Sequence, residues 1–344
     1  MTGTTTACVD DKQAGGGARP HAIGTRRSPL AMYQARTVQA MLCGAVHPAA
    51  SEAAYPLLGI TSEADANLTQ PLHAFATVGV FTAALDRALL SGQVDLAVHS
   101  LKDLPTCIAP GLRLAAVLRR THRHDVLVVG PSLRAANALD EFPDGARIGT
   151  SSLRRQATLR RLHGGLTLQD LRGNIGTRLA SLSDGRLDAI VMAEAALQRL
   201  ELSSHHKTLG LPGGYYAPGQ GAIAVVVRDA DLDLCSAIRD ALNDAQTELE
   251  CAAERALLRT VEGGCRLPVA VRCSYDDEHD VMTVDGQVLS IDGSQCVTAS
   301  VADRIERSTA QADQLGTRLA RILLDGGAQA IIERIKQCQT VQRP

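Results

Sequence analysis

Two pairs of arginines stand where a helix is better served by acids. Arg26 and Arg27 directly precede one helix-forming stretch, and Arg154 and Arg155 fall in the first turn of another. A cation at a helix N-terminus opposes the macrodipole by roughly 0.3–1 kcal/mol, and the backbone N–H groups there already attract anions. Four guanidiniums set against that field make sense if an anionic ligand neutralises them. Arg172-Gly173-Asn174 and Arg178 add two further cations. Residues 119–178 hold 11 Arg against five Asp or Glu, a local excess of six positive charges on a chain of formal net charge -2. Arginine binds carboxylates and phosphates bidentately, so the pattern suits a polyanion held in a cleft. The 31 Arg against four Lys in the chain also fit GC-rich codon usage, which needs no ligand.

Two other segments carry reactive groups. His99-Ser100-Leu101-Lys102-Asp103-Leu104-Pro105 follows an apolar run that reads as a strand. The C-terminal ends of parallel strands face the ligand crevice, where Asp103 is placed to stabilise a cation or orient an N–H donor. Taken alone, the same residues make a turn with a surface ion pair. In Glu262-Gly-Gly-Cys265-Arg266-Leu-Pro268 a cysteine sits on a Gly-flanked loop. It is either a nucleophile or attachment point or an inert packed thiol. No His/Asp arrangement beside it suggests a protease triad, and no Cys/His cluster has metal-ligand spacing.

These residues must be positioned by alternating strands and helices. After Ile23-Gly-Thr, Ser28 is a good N-cap, Pro29 suits the first helical position, a helix follows over 29–42, and Gly44 is a plausible stop. The device recurs 125 residues later as Ile148-Gly-Thr, Ser151/Ser152 and LRRQATLRRL. A second echo pairs Gly92-Gln-Val-Asp95 with Gly185-Arg-Leu-Asp188, each after a helical stretch (81–91 and 176–184) and each entering an apolar strand. Such alternation implies parallel α/β sheets, here two similar α/β domains over 21–118 (with about 217–240) and 119–216. Asn243 and Gln246 resemble a capping box for a helix over 245–262, stopped by Gly263-Gly264. Strands are expected over 267–305, with a turn at Asp292-Gly293. Asp285-Gly286 reads as another turn or as part of a strand. A helix over 310–336 completes a smaller α+β domain, 243–344.

Length and composition narrow the classes. The 344 residues allow two to three domains. No apolar run approaches the roughly 18 residues of a membrane helix. Eight aromatics, none of them Trp, are too few for a nucleic-acid stacking platform. Nine cysteines without a C-x-x-C pair indicate free thiols in a reducing compartment. Residues 1–20 are Thr/Gly-rich with no apolar core and read as a disordered tail without a secretory or mitochondrial leader, which places the protein in the cytoplasm.

Together the segments IGTRRSPLAMYQAR (23–36), DLAVHSLKDLPT (95–106), IGTSSLRRQATLRRL (148–162), LRGNIGTRLASL (171–182), DAIVMAEAALQRL (188–200), APGQGAIAV (217–225) and AERALLRTVEGGCRLPVAV (253–271) resemble the porphobilinogen deaminase, or hydroxymethylbilane synthase, family. They run in family order from residue 23 to residue 271. The resemblance implies two α/β domains like type-2 periplasmic binding proteins and a third, smaller α+β domain. It implies a transferase of tetrapyrrole biosynthesis that joins four porphobilinogen molecules head to tail, releasing ammonia, to give hydroxymethylbilane. The product grows on a dipyrromethane cofactor held by a thioether, here to Cys265. By similarity Asp103, Lys102 and Arg26 are catalytic. Cys265, Ser100, Lys102, Asp103, Thr150, Ser152, Arg154, Arg155 and Arg172 bind the cofactor. Arg26, Ser28, Phe81, Arg172, Arg178 and Gln220 bind the substrate. Asp103 accepts from pyrrole N–H groups and stabilises the cationic azafulvene left by deamination. A monomer that engages neither nucleic acid nor membrane is implied, and no metal.

Each porphobilinogen carries an acetate and a propionate, so an arginine-lined cleft suits the growing polyanion. Three features depart from the family pattern. Its Gly- and Lys-rich loop reads PLHAFATVGVF (71–81), with Ala74 and Val78 where lysines are usual. Its Pro-Arg-Asp is Arg123-His124-Asp125, so His124 takes an arginine's place unless Arg123 substitutes through a shifted backbone. Val226 stands where a glutamate is common. The altered loop favours an alternative reading as a catalytically impaired homologue. A small-anion-binding protein of the same fold, and a nucleic-acid module motivated by LRRQATLRRL, are the readings from other classes.

Overall fold

The computed structural model describes residues 19–46, 52–62, 79, 81–261 and 267–341. Residues 1–18 of the expected tail, most of the 71–81 loop and Cys265 lie outside them. The described chain forms two five-stranded mixed sheets and one three-stranded antiparallel sheet.

The first sheet is built from β1 (Ile23–Arg26), β2 (Leu57–Ile60), β3 (Leu96–Ser100), β4 (Leu112–Val117) and β10 (Ile223–Arg228), in the order β2-β1-β3-β10-β4. The second is built from β5 (Asp125–Val129), β6 (Arg147–Gly149), β7 (Thr167–Gln169), β8 (Ala189–Ala193) and β9 (Thr208–Gly210), in the order β7-β6-β8-β5-β9. The orders match position for position, and in each the fourth strand runs antiparallel to the central one. That strand is exchanged in sequence: β5 follows β4 into the second sheet, and β10 returns from β9 to the first. Strands such as β5 (DVLVV) and β8 (AIVMA) are buried throughout, as a sheet covered on both faces requires.

The sequence echo extends to individual hydrogen bonds. Asp95 accepts from the Ala22 amide at 2.9 Å, and Asp188 accepts from the Arg147 amide at 2.9 Å. Ala22 and Arg147 each directly precede an Ile-Gly-Thr strand. Gly92 and Gly185, at φ of +75° and +70°, make the turns before the two aspartates.

Helices cover the sheets. α1 (Pro29–Val46) follows β1, α2 (Ala83–Leu90) precedes β3, α3 (Leu153–Leu162) follows β6 and α4 (Ile175–Ser183) precedes β8. α5 (Glu194–Arg199) follows β8 directly, and α6 (Leu232–Leu242) follows β10. The Ala31 amide donates to Ser28 Oγ at 3.3 Å, as the capping role requires. Gly44 does not stop α1, which continues to Val46; glycine weakens a helix without the chain reversal needed to end it.

The third unit holds α7 (Ala245–Thr260), then β11 (Val269–Asp276), β12 (Val281–Leu289) and β13 (Cys296–Arg304) as a meander, then α8 (Thr309–Leu323) and α9 (Gln329–Val341). α7 is capped by Asp244, which accepts from the Thr247 amide at 2.8 Å. The expected Asn243 cap is otherwise engaged, accepting from the Val117 amide at 2.9 Å. Asp285-Gly286 lies inside β12 and Asp292-Gly293 makes the turn after it. The single helix expected over 310–336 is broken at 324–328, where Gly327 takes φ +106°.

The two exchanged connections pass side by side. A Cβ on Gly221, at φ +87°, would lie 2.3 Å from the His122 carbonyl oxygen, so only glycine lets the strands of chain approach. Both connections are tied to α7. Arg120 donates to Glu254 at 3.0 Å and to Glu250 at 2.8 Å, and the Gly219 amide donates to Glu254 at 2.7 Å. All three of these side chains are almost fully buried.

Candidate active site

The site forms where strand ends of the first sheet meet helix starts of the second. β1 ends in Arg26, whose guanidinium carbon lies 4.6 Å above the centre of the Phe81 ring. β3 ends in Ser100 and turns at once through Leu101–Asp103, so Lys102 and Asp103 stand at the strand's C-terminal end. Ser100 and Gln34 satisfy each other, with Gln34 Nε2 donating to Ser100 Oγ at 2.9 Å. Arg26, Ser28, Phe81, Ser100 and Asp103 share the wall of a small cavity of about 60 Å³.

From the second sheet, Thr150 follows β6 and Ser152 caps α3, accepting from the Arg155 amide. Thr150 Oγ1 accepts from the Ser152 amide at 3.3 Å, which holds the cap in place. Arg154 and Arg155 are buried, and both donate to Asp125, the first residue of β5. Arg154 Nη2 and Arg155 Nη2 each lie 2.6 Å from a carboxylate oxygen. Burial raises the Asp125 carboxyl, but the two guanidiniums outweigh it and hold the group well below the usual carboxylate range. The expectation that these arginines await only a ligand is thus corrected: Asp125 already supplies one negative charge. Asp125 was not among the residues expected in the site. Its place after an exchanged connection depends on contacts about 30 residues apart in sequence, which no local motif reports.

Gln220 links the halves. It is fully buried, accepts from Lys102 Nζ at 3.2 Å and donates to Asp125 Oδ1 at 2.9 Å. Lys102 is crowded by protein and by the Arg155 guanidinium, and its ammonium is lowered to about 8. Arg178, on α4, donates through Nε to the Gly173 carbonyl at 2.8 Å. Burial first, then Arg155, lowers it to about 10, with Arg172 and Arg26 adding to the repulsion and Asp103 opposing it. These mutual fields place Arg26, Lys102, Asp103, Arg154, Arg155, Arg172 and Arg178 in one electrostatic neighbourhood that spans both sheets. Arg199, outside the expected set, reaches the same junction and donates to the Gly221 carbonyl.

The departures now have structural meaning. Arg123 donates to Glu250 and to the Cys273 carbonyl, at 2.8 and 2.9 Å. It is bound toward α7 and β11 and does not replace a cleft arginine. The His124 ring stands edge-on to Tyr216 at 6.0 Å. Val226 is a core residue of the first sheet.

Fold and site together define an α/β protein of two matching lobes that meet at a cluster of cations, joined to a third, smaller α+β domain. The chain belongs to the porphobilinogen deaminase family. Residues 22–236 match the family profile described as "Porphobilinogen deaminase, dipyromethane cofactor binding domain", and residues 248–325 match "Porphobilinogen deaminase, C-terminal domain". It is similar to the porphobilinogen deaminase of Synechococcus elongatus, with 37% identity over 92% of this chain and 96% of that one. The enzyme of Rubrobacter xylanophilus is 41% identical over 90% of this chain and 95% of its own. Among solved structures, an ancestral arginine-binding protein bound to arginine aligns at 13% identity and TM-score 0.37, over 65% of this chain and 90% of that one. An ancestral cationic amino acid solute-binding protein aligns at 10% identity and TM-score 0.41, over 64% and 87%. Among the described residues no helix is long and apolar enough to cross a membrane.

Proposed function

We propose that the chain joins four porphobilinogen molecules head to tail, with loss of ammonia, into hydroxymethylbilane, working on a dipyrromethane bound through Cys265. The observation that carries this reading is the crowding of like charge at the site. Six cations (Arg26, Lys102, Arg154, Arg155, Arg172 and Arg178) surround two carboxylates, Asp103 and Asp125. Burial and then repulsion from neighbouring guanidiniums lower both Lys102 and Arg178, and the carboxylates of linked pyrroles would relieve that repulsion, so the residues present fit the group. Bound dipyrromethane supplies the pyrrole end to which new units are added.

The chain's own residues provide binding and electrostatics. Ser100, Lys102, Thr150, Ser152, Arg154, Arg155 and Arg172 hold the cofactor's carboxylates. Arg26, Ser28, Arg172 and Arg178 hold those of the incoming substrate, with Phe81 beside the ring and Gln220 fixing Lys102. Asp103 accepts from pyrrole N–H groups and stabilises the positive charge that develops as ammonia leaves. A fixed carboxylate in a poorly solvated cleft is effective in that role. We further propose a monomer acting in the cytoplasm; the free cysteines among the described residues suit a reducing compartment.

Incubation of the purified protein with porphobilinogen tests the reading. Ammonia release matched by formation of a linear tetrapyrrole is expected. Porphobilinogen bound but left unconsumed would overturn it in favour of a small-anion-binding protein.

A further inference from the structure

We propose that His99 positions the substrate by donating a hydrogen bond from Nε2 to a carboxylate of the pyrrole held in the cavity beside Arg26 and Ser28. This rests on the reading above. His99 is the penultimate residue of β3 and forms part of the cavity wall. It is 5% exposed, and its Nε2 is buried with no hydrogen-bond partner among the described residues. Buried polar atoms are nearly always partnered, and an orphan carries a desolvation cost. The neighbouring wall groups Ser100 and Gln34 already bond each other, so they do not supply what His99 lacks.

The partner it requires is an acceptor that arrives with the ligand. Burial and then the nearby Arg26 guanidinium lower the imidazole to about 4, so the ring is neutral at physiological pH and has one N–H to give. Ser28 and Arg26 also present donors on this wall. Three donors converging on one small space suit an acceptor-rich carboxylate. His99 adds direction there without adding charge.

The test compares His99→Leu and His99→Gln holoenzymes by steady-state kinetics, with cofactor content read by intact mass. Leu removes the donor at similar volume, and the Gln amide restores one near the Nε2 position. His99→Leu is expected to carry cofactor and to raise KM for porphobilinogen about tenfold, the effect of one hydrogen bond, with kcat nearly unchanged. His99→Gln is expected to recover most of that loss. Unchanged KM in His99→Leu, or equal impairment in both variants, would overturn the proposal, because packing alone cannot tell the two apart by rescue. Should His99→Leu fail to fold, histidine ¹⁵N resonances of the wild-type holoenzyme decide. Nε2 should be protonated and should shift on adding porphobilinogen; an unprotonated Nε2, or no shift during turnover, refutes the assignment. A wild-type protein that neither carries dipyrromethane nor consumes porphobilinogen would overturn the functional reading itself, a separate result from any pattern among the variants.

Discussion

Arg155 holds Asp125 through two nitrogens, Nε at 3.1 Å and Nη2 at 2.6 Å. The carboxylate has no exposed surface. Asp125 begins β5 immediately after one exchanged connection, and Gln220 from the other connection donates to the same carboxylate oxygen. One buried carboxylate therefore joins both connections to the helix start that faces the cleft. Replacing it strands two buried guanidiniums, and breaking a buried pair costs about 3–5 kcal/mol. Asp125→Ala is expected to lower Tm and to reduce cofactor loading, read by thermal unfolding and intact mass. An unchanged Tm with full loading would show that the pair is dispensable.

Asp103 tests the chemistry more narrowly. It stands at a strand end, apart from the main cores, so its truncation should leave the fold intact. Asp103→Ala is expected to carry cofactor and to lose turnover by several orders of magnitude, measured as porphobilinogen consumption. Normal turnover would remove the role assigned to this carboxylate.

Lys102 gives the cleft a pH dependence. Burial and Arg155 lower its ammonium to about 8 in the cofactor-free protein. Below that pH the charge is present; above it the folded protein loses one of its six cleft cations. Loading of the cofactor-free protein is expected to weaken as pH rises through about 8, and Lys102→Met should abolish this limb while lowering loading overall. The unfolded chain keeps the same proton up to the ordinary value of 10.5. It therefore binds more protons than the folded chain between these values, and this group's contribution to stability rises with pH across that window. A pH-independent loading profile in the wild type would contradict the assignment.

Gly221 tests the crossing. Its positive φ and the 2.3 Å approach to the His122 carbonyl leave no room for a side chain. Gly221→Ala should cost roughly 1–3 kcal/mol in backbone strain, with further loss from the clash, and should impair turnover by displacing Gln220. Thermal unfolding and steady-state rates check this; wild-type values in both would show that the connections have room to separate.

Much of this was legible in the sequence because the chemistry is local. The Ser28 and Ser152 caps, the strand-end Lys102 and Asp103, and the Asp95/Asp188 echo each lie within a few residues of the structure they specify. The resemblance supplied the cofactor and the reaction, which spacing alone does not encode. What escaped was set by long-range contact. Asp125 and Arg199 acquire their places only when β5 and β10 exchange between sheets. Asn243 yields the cap to Asp244 because the Val117 amide claims its side chain. The fate of Arg123 depends on Glu250, 127 residues away.

The most direct test of the central claim is the intact mass of the purified protein, with peptide mapping of the segment that carries Cys265. The account predicts an added mass of two linked pyrrole units on Cys265, absent from Cys265→Ser. An unmodified Cys265, even after incubation with porphobilinogen or hydroxymethylbilane, would contradict it.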